Sequence, residues 1–227
     1  MTALDTSGVV GMTAARLLLA AGAVQVSRDR PFLLAGGWAS PVYVDCRRLL
    51  DDPERRRATT DLVVAMILER WAGTLRFDAV AGAETAGIPW AALLAERLMV
   101  PLRYVRKRPL GIGRHAQVEG GSVEGLRVLL IDDLVTDAAS KVAFTRGLRA
   151  AGATVTDALV LFAHGVFPGT EQRLAHLELG LSALAGWSDI LAMAEATTLS
   201  ADDRDRIAAF LRDPIAWSRD HGGRMAL

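Results

Sequence analysis

The chain has 227 residues, enough for one large domain with a substantial core, which excludes a miniature disulfide scaffold. Its 26 basic residues balance 26 acidic ones, so no net field is available to hold a polyanion, and no nucleic-acid partner is expected. Cys46 is the single cysteine; it can close no intrachain disulfide and build no zinc cluster, which fits a reducing compartment.

The opening MTALDTSG carries an acid where a secretory signal wants basic residues. Arg16 and Gln25 interrupt the apolar stretch from Val9 to Val26. The sequence therefore predicts a cytoplasmic chain with no membrane segment. Val9 to Val24, rich in Ala and Leu, predicts an amphipathic helix ended near Gly22. Phe32-Leu33-Leu34 and Val42-Tyr43-Val44 read as two short strands, separated by the turn signals Gly36-Gly37 and Ser40-Pro41. From Asp52-Pro53 a helix is expected, with Leu62, Val63, Met66 and Ile67 as its apolar face and Gly73 as its end.

Beyond Gly73 the rhythm becomes strand, glycine, helix. Strands are expected at Phe77–Ala81, Leu102–Val105, Val128–Ile131 and Val155–Phe162, with helices at Ile88–Leu98 and Ser140–Ala151. Such alternation argues a mostly parallel sheet flanked by helices on both faces, an α/β fold whose ligands sit beyond the carboxyl ends of the strands. Between Arg106 and Leu126 lie five glycines and four basic residues plus His115 with no period, as expected of a functional lid. After Phe167-Pro168-Gly169 the pattern returns to helices, with Ile207, Phe210 and Leu211 as one face and Asp213-Pro214 as a stop.

Two strand ends carry candidate chemistry. In VLLIDDLVTDAAS, Asp132 and Asp133 follow an apolar run; they could coordinate a divalent cation, act as acid and base, or accept hydrogen bonds from vicinal hydroxyls. Thr136 to Ser140 are small residues opening a helix, so their N–H groups offer an anion seat. The bland alternative is an acidic strand end followed by an ordinary helix cap at Asp137 or Ser140. GAETAG, Gly82 to Gly87, is a second such loop before a helix that opens Ile88-Pro89. Of the basic residues only Lys107 and Lys141 are lysines, and each stands in or beside a phosphate-like stretch, where an ammonium and a guanidinium are not interchangeable.

These residues resemble a known family. VLLIDDLVTDAAS is similar to the phosphoribosyl pyrophosphate (PRPP) signature of type I phosphoribosyltransferases; FLLAGGWASPVYVDCR and YVRKRPLGIGRHAQVEG resemble orotate phosphoribosyltransferase. The resemblance implies one domain of that fold, with a core over about residues 53–165 and a small hood from about 1–50 and 166–227. It implies transfer of the phosphoribosyl group of PRPP to orotate in UMP biosynthesis, with Mg²⁺ carried by PRPP near Asp132 and Asp133 and held by no protein ligand directly.

The resemblance also implies roles. Asp132 and Asp133 would contact the ribose; Thr136 to Ser140 (Asp137, Ala138 and Ala139 between them) would hold the 5-phosphate, with Leu134 and Val135 also among the PRPP-binding residues. Glu84, Thr85, Ala86 and Gly87 would hold pyrophosphate, assisted by Arg106, Lys107, Arg108 and His115 of the lid. Asp132, Asp133 and Lys107 are the implied catalytic groups. Tyr43, Arg47, Thr136 and His164 are the candidates for orotate, and a homodimer sharing its lids is the implied assembly. The chain departs from the family at Ala35 and Ala86, where many members carry lysine, and at Ala138 and Ala139, where glycines are usual. An arginine expected near LVLFAHGVF is also absent, leaving Arg47 and His164 as substitutes. The alternatives to this reading are a purine phosphoribosyltransferase and a PRPP-sensing regulator without chemistry.

Overall fold

A computed structural model describes residues 8–34, 36–111, 117–194 and 199–225. In chain order the elements are α1 (Gly8–Ala20), β1 (Val24–Val26), β2 (Phe32–Leu33), β3 (Ala39–Ser40), β4 (Val42–Val44), a 3₁₀ turn (Cys46–Leu50) and α2 (Pro53–Arg70). Then come β5 (Ala79–Ala83), α3 (Gly87–Leu98), β6 (Leu102–Val105), β7 (Val118–Glu119), β8 (Val128–Val135), α4 (Ala139–Ala150) and β9 (Asp157–Ala163). The last are α5 (Thr170–His176), β10 (Gly180–Gly186), α6 (Trp187–Ala194), α7 (Ala201–Arg212) and α8 (Pro214–Asp220). No helix among the described residues is long and apolar enough to cross a membrane.

Six strands form the central sheet in the order β10-β9-β8-β5-β6-β7, all parallel except β7, which runs antiparallel on the edge. This is the type I phosphoribosyltransferase architecture expected from the sequence. Alternation along each strand sends side chains into two layers. Leu129 and Ile131 of β8 join the layer holding Leu18 of α1, Ile67 of α2 and Leu94 of α3. Val128 and Leu130 join the layer holding Phe144 and Leu148 of α4 and Leu174 of α5. The order reverses at β5: its crossover to β6 runs one way and β8 lies on its other side, so the sheet opens between β5 and β8.

The sequence expects nothing but helices after Gly169, yet β10 extends the sheet there; its stretch GLSALAG lacks the β-branched residues that announce a strand. Sheet and core thus run past residue 165 to Gly186. α1 also packs against the core elements α2, α6 and β10 rather than standing apart in a hood. Above the strand ends sit the ribbons β1–β4 and β2–β3, with α8 against β3. A row of rings ties this cover down: Trp38 to Phe167 at 5.3 Å, Phe167 to Phe210 at 6.1 Å and Phe210 to Trp217 at 5.6 Å.

Local chemistry sets the helix ends. Asp52 accepts the Arg55 N–H at 2.8 Å and Pro53 occupies the first turn of α2. Asp213-Pro214 ends α7 as expected and also opens α8, with Asp213 accepting the Ala216 N–H at 2.9 Å. α3 closes on Met99, which adopts a left-handed conformation (φ 53°) with its side chain 85% exposed. Glycine suits this position, and little packing is lost with the side chain. Met99→Gly should therefore raise stability by about 1 kcal/mol, read as a higher denaturant midpoint at unchanged m-value.

Candidate active site

β8 carries the acid pair inside the strand rather than at its end, because the strand runs to Val135. It pairs with β5 only as far as Ile131, opposite Gly82, while its pairing with β9 continues to Val135. The carboxylates cap the backbone where β5 has departed: Asp132 Oδ1 accepts the Asp133 N–H at 2.9 Å, and Asp133 Oδ1 accepts the Leu134 N–H at 2.8 Å. Gly87 lets the 84–87 loop approach this point. A Cβ there would lie 2.4 Å from the Ile131 carbonyl oxygen and 2.9 Å from the Asp132 Cα.

The opening is a cleft of about 240 Å³. Glu84, Thr85 and Ala86 line one side; Asp132, Asp133 and Leu134 form its base; Thr136, Asp137, Ala138, Ala139 and Ser140 form the other side; Lys107, Gly36 and Phe144 complete it. A larger concavity of about 470 Å³ lies between Gly165–Leu174 and Arg212–Ile215, but it gathers none of the candidate site residues.

The two acids are not equivalent. Asp132 is buried and faces α4, where Lys141 Nζ lies 2.6 Å from Oδ2 and donates to the Leu134 carbonyl at 2.8 Å. Lys141 is 1% exposed, so it braces the acid pair from behind instead of meeting a polyphosphate as its position in the sequence suggests. A buried ammonium needs such a partner. Asp133 lies on the side of the 3₁₀ turn, where its charge, after burial itself, helps push the Cys46 thiol up. The carboxyl of Asp133 is raised to about 7, first by burial and next by the charge of Asp132, against the opposing pull of Lys141.

The phosphate-like loop shows the strain its alanines imply, at one residue. Ala138 takes a left-handed conformation (φ 62°) at the cap of α4, while Ala139 lies within the helix. Asp137 accepts the Ala139 N–H at 3.0 Å, and its other oxygen lies 3.7 Å from Arg173 and 3.8 Å from Arg224. Arg224 also donates its backbone N–H to Gly37 and stacks over Trp38, tying the tail to the 36–38 turn. Sequence reasoning missed Arg173, Arg224 and Gly36, because these contacts span 36 residues for Arg173 and Asp137 and 188 for Arg224 and Gly36.

Other expectations need correction. His164 is 3% exposed, ringed by Phe162, Phe167 and Trp187 at 5.1–5.6 Å ring spacings within that group, and burial lowers its pKa to about 4. It is a neutral core residue and does not reach the cleft. Val135 is also buried, its side chain in the layer under α4. Tyr43 and Arg47 do come together, with Arg47 Nη2 donating to the Tyr43 hydroxyl at 3.2 Å and Nε 2.6 Å from Asp45. They stand outside the cleft lining, within reach of the field of Asp133. Arg106 is paired with Glu84 and Glu119, Arg108 is exposed, and His115 and Ala35 lie outside the described residues.

An acid pair at the switch point of a parallel sheet, between two loops that each open a helix, has a counterpart among known proteins. The phosphoribosyl transferase domain family matches residues 49–170. An orotate phosphoribosyltransferase of Rhizobium rhizogenes is 45% identical over 216 residues, 95% of this chain and 93% of that protein. The chain belongs to the orotate phosphoribosyltransferase family. A solved orotate phosphoribosyltransferase from Aeropyrum pernix is 37% identical with a TM-score of 0.67, covering 80% of this chain and 99% of that one. A UMP synthase from Leishmania donovani is similar at 28% identity and a TM-score of 0.73, over 88% of this chain and 42% of its own.

The raised Asp133 carboxyl has a consequence for this family member's stability. Its folded pKa of about 7 exceeds the unfolded value of about 3.9, so the folded state binds more protons between those values. Stability should fall as pH rises from about 4 to about 7, through this group. Asp133→Asn, which stays neutral, should flatten that slope in thermal melts taken from pH 5 to 8; a slope as steep as in the unaltered chain would contradict it.

Proposed function

We propose that the chain transfers the 5-phosphoribosyl group of PRPP to orotate, giving orotidine 5'-monophosphate and pyrophosphate on the route to UMP. The observation that carries this reading is the opening between β5 and β8, where an acid pair faces two helix-opening loops across one cleft. The names borne by its relatives support orotate as the base.

The chemistry follows from charge. Displacement at the anomeric carbon gives the ribose cationic character while negative charge gathers on the departing pyrophosphate. Asp133, with Asp132 braced behind it, accepts hydrogen bonds from the ribose hydroxyls and supplies negative potential beside the developing cation. The N–H groups of Asp137, Ala138 and Ser140 and the positive end of α4 hold the 5-phosphate. The loop 84–87 receives pyrophosphate and the Lys107 ammonium neutralises it. The segment beyond Lys107, with Arg108 and His115, is assigned to closing the neighbouring subunit's cleft and excluding water. Arg47 and Tyr43 are assigned to the carboxylate of orotate.

Mg²⁺ is the proposed cofactor, arriving on PRPP. Asp133, with Asp132 behind it, offers the hard oxygen donors that this cation prefers and would lie beside it in the cleft. When bound, Mg²⁺ neutralises charge on the leaving group. The proposed assembly is a cytoplasmic homodimer in which the lid reaches the neighbouring subunit's site.

The loss of orotate absorbance on mixing the chain with orotate, PRPP and Mg²⁺ tests the reading; turnover of adenine, hypoxanthine or xanthine with orotate untouched would replace it. Lys107 is exposed at the cleft, so Lys107→Ala should lower turnover about 100-fold while leaving the melting temperature unchanged. An unaltered rate would remove Lys107 from the mechanism.

A further inference from the structure

The loop assigned to pyrophosphate contains no cation and one anion, Glu84. A carboxylate turned toward a diphosphate would oppose its binding. Glu84 is turned elsewhere. Its Oε2 accepts the backbone N–H of Lys107 at 2.8 Å, and its Oε1 lies 3.3 Å from Arg106 Nη1. Arg106 is gripped in turn by Glu119 through Nε, and the Tyr104 hydroxyl donates to the same Glu119. Backbone contacts complete the clamp: the Arg106 N–H reaches the Gln117 carbonyl at 2.8 Å, and Gln117 Nε2 donates to the Arg106 carbonyl at 2.8 Å. The charge of Arg106 is thus taken up between two carboxylates, while Lys107 lines the same cleft as Glu84.

We infer that Glu84 is a positioning residue, which acts through Lys107 to deliver to the pyrophosphate loop the positive charge that the loop itself lacks. The inference rests on the activity proposed above. Lysine carries its charge on a flexible four-carbon stem, so the location of its ammonium depends on how firmly the backbone beneath it is held. The Glu84 carboxylate fixes that backbone directly. It accepts one charge-assisted hydrogen bond from the N–H of Lys107 and anchors the preceding residue through its guanidinium. Ala86, the small residue at the edge of the same cleft, supplies no charge of its own, which leaves Lys107 to meet the leaving group.

The test measures the reverse reaction of the full-length chain, orotidine 5'-monophosphate with pyrophosphate and Mg²⁺, for the unaltered protein, Glu84→Ala, Glu84→Gln, Lys107→Ala and the Glu84→Ala, Lys107→Ala pair. Glu84→Ala should raise the pyrophosphate KM about tenfold, the worth of one charged hydrogen bond, with the nucleotide KM unchanged. Glu84→Gln keeps an oxygen for the Lys107 N–H and should recover most of the loss. In the Lys107→Ala background the Glu84 change should have no further effect on the pyrophosphate KM. A lowered or unchanged pyrophosphate KM in Glu84→Ala, or the same rise in both backgrounds, overturns the inference and leaves the activity intact. Simple damage to the fold would reduce kcat in every substrate pairing with each KM unchanged, and that outcome also overturns it. An unaltered chain that forms no product overturns both the activity and the inference.

Discussion

The buried contact between Lys141 and Asp132 is the constraint on which the site depends. β8 must present negative charge where its neighbour β5 turns away, and a buried carboxylate is tolerable only with a partner. A pair of this kind adds little net stability over an apolar replacement, but stranding one member costs about 3–5 kcal/mol. Its effect is geometric: α4 cannot shift along β8 without leaving a charge alone. Because α4 also opens the phosphate-like loop, one ion pair sets the distance between the acids and the loop's N–H groups.

The burden is then divided between the two acids. Asp132 spends both oxygens within the protein, one on Lys141 and one on the Asp133 N–H, whereas Asp133 is held less completely. Strand alternation separates them, directing one toward each helical layer. The neighbouring loop shows similar logic. Asp137 would add unwanted negative charge beside an anion seat, and two arginines from α5 and the tail offset it. Ala138 accepts a backbone conformation that glycine would adopt more readily, and the caps and packing around it hold it there.

Most of the sheet was legible in the sequence because strand, glycine and helix alternate there with strong apolar contrast, as in VLLIDDLVTDAAS. Both loops could be seen for the same reason, since each follows a strand and opens a helix, and the acid pair stood out as two charges ending an apolar run. β10 was hidden by its alanine and glycine content, and β1 and β3 by their shortness. His164 suggests a ligand role by its place after a strand; Phe162 and Phe167 stand close by in sequence, but the ring that closes the box, Trp187, comes from just past β10's far end and gives no local signal. Lys141, one of two lysines, reads in the sequence as a phosphate partner, but whether a residue near a helix start faces the cleft or the sheet depends on how that helix docks. Contacts such as Arg224 to Asp137 have no sequence signature at all, being made by the return of the tail across the cover.

That return imposes an order on assembly. The sheet and the phosphate-like loop leave the ribosome long before Arg224, and domains begin to organise from the N-terminal side as they emerge. Until the last turn of α8 has docked against β3 and carried Arg224 to Gly37, the newborn loop holds Asp137 with only part of its countercharge. The anion seat therefore becomes electrically complete only after synthesis has passed residue 224, long after the loop itself has been made.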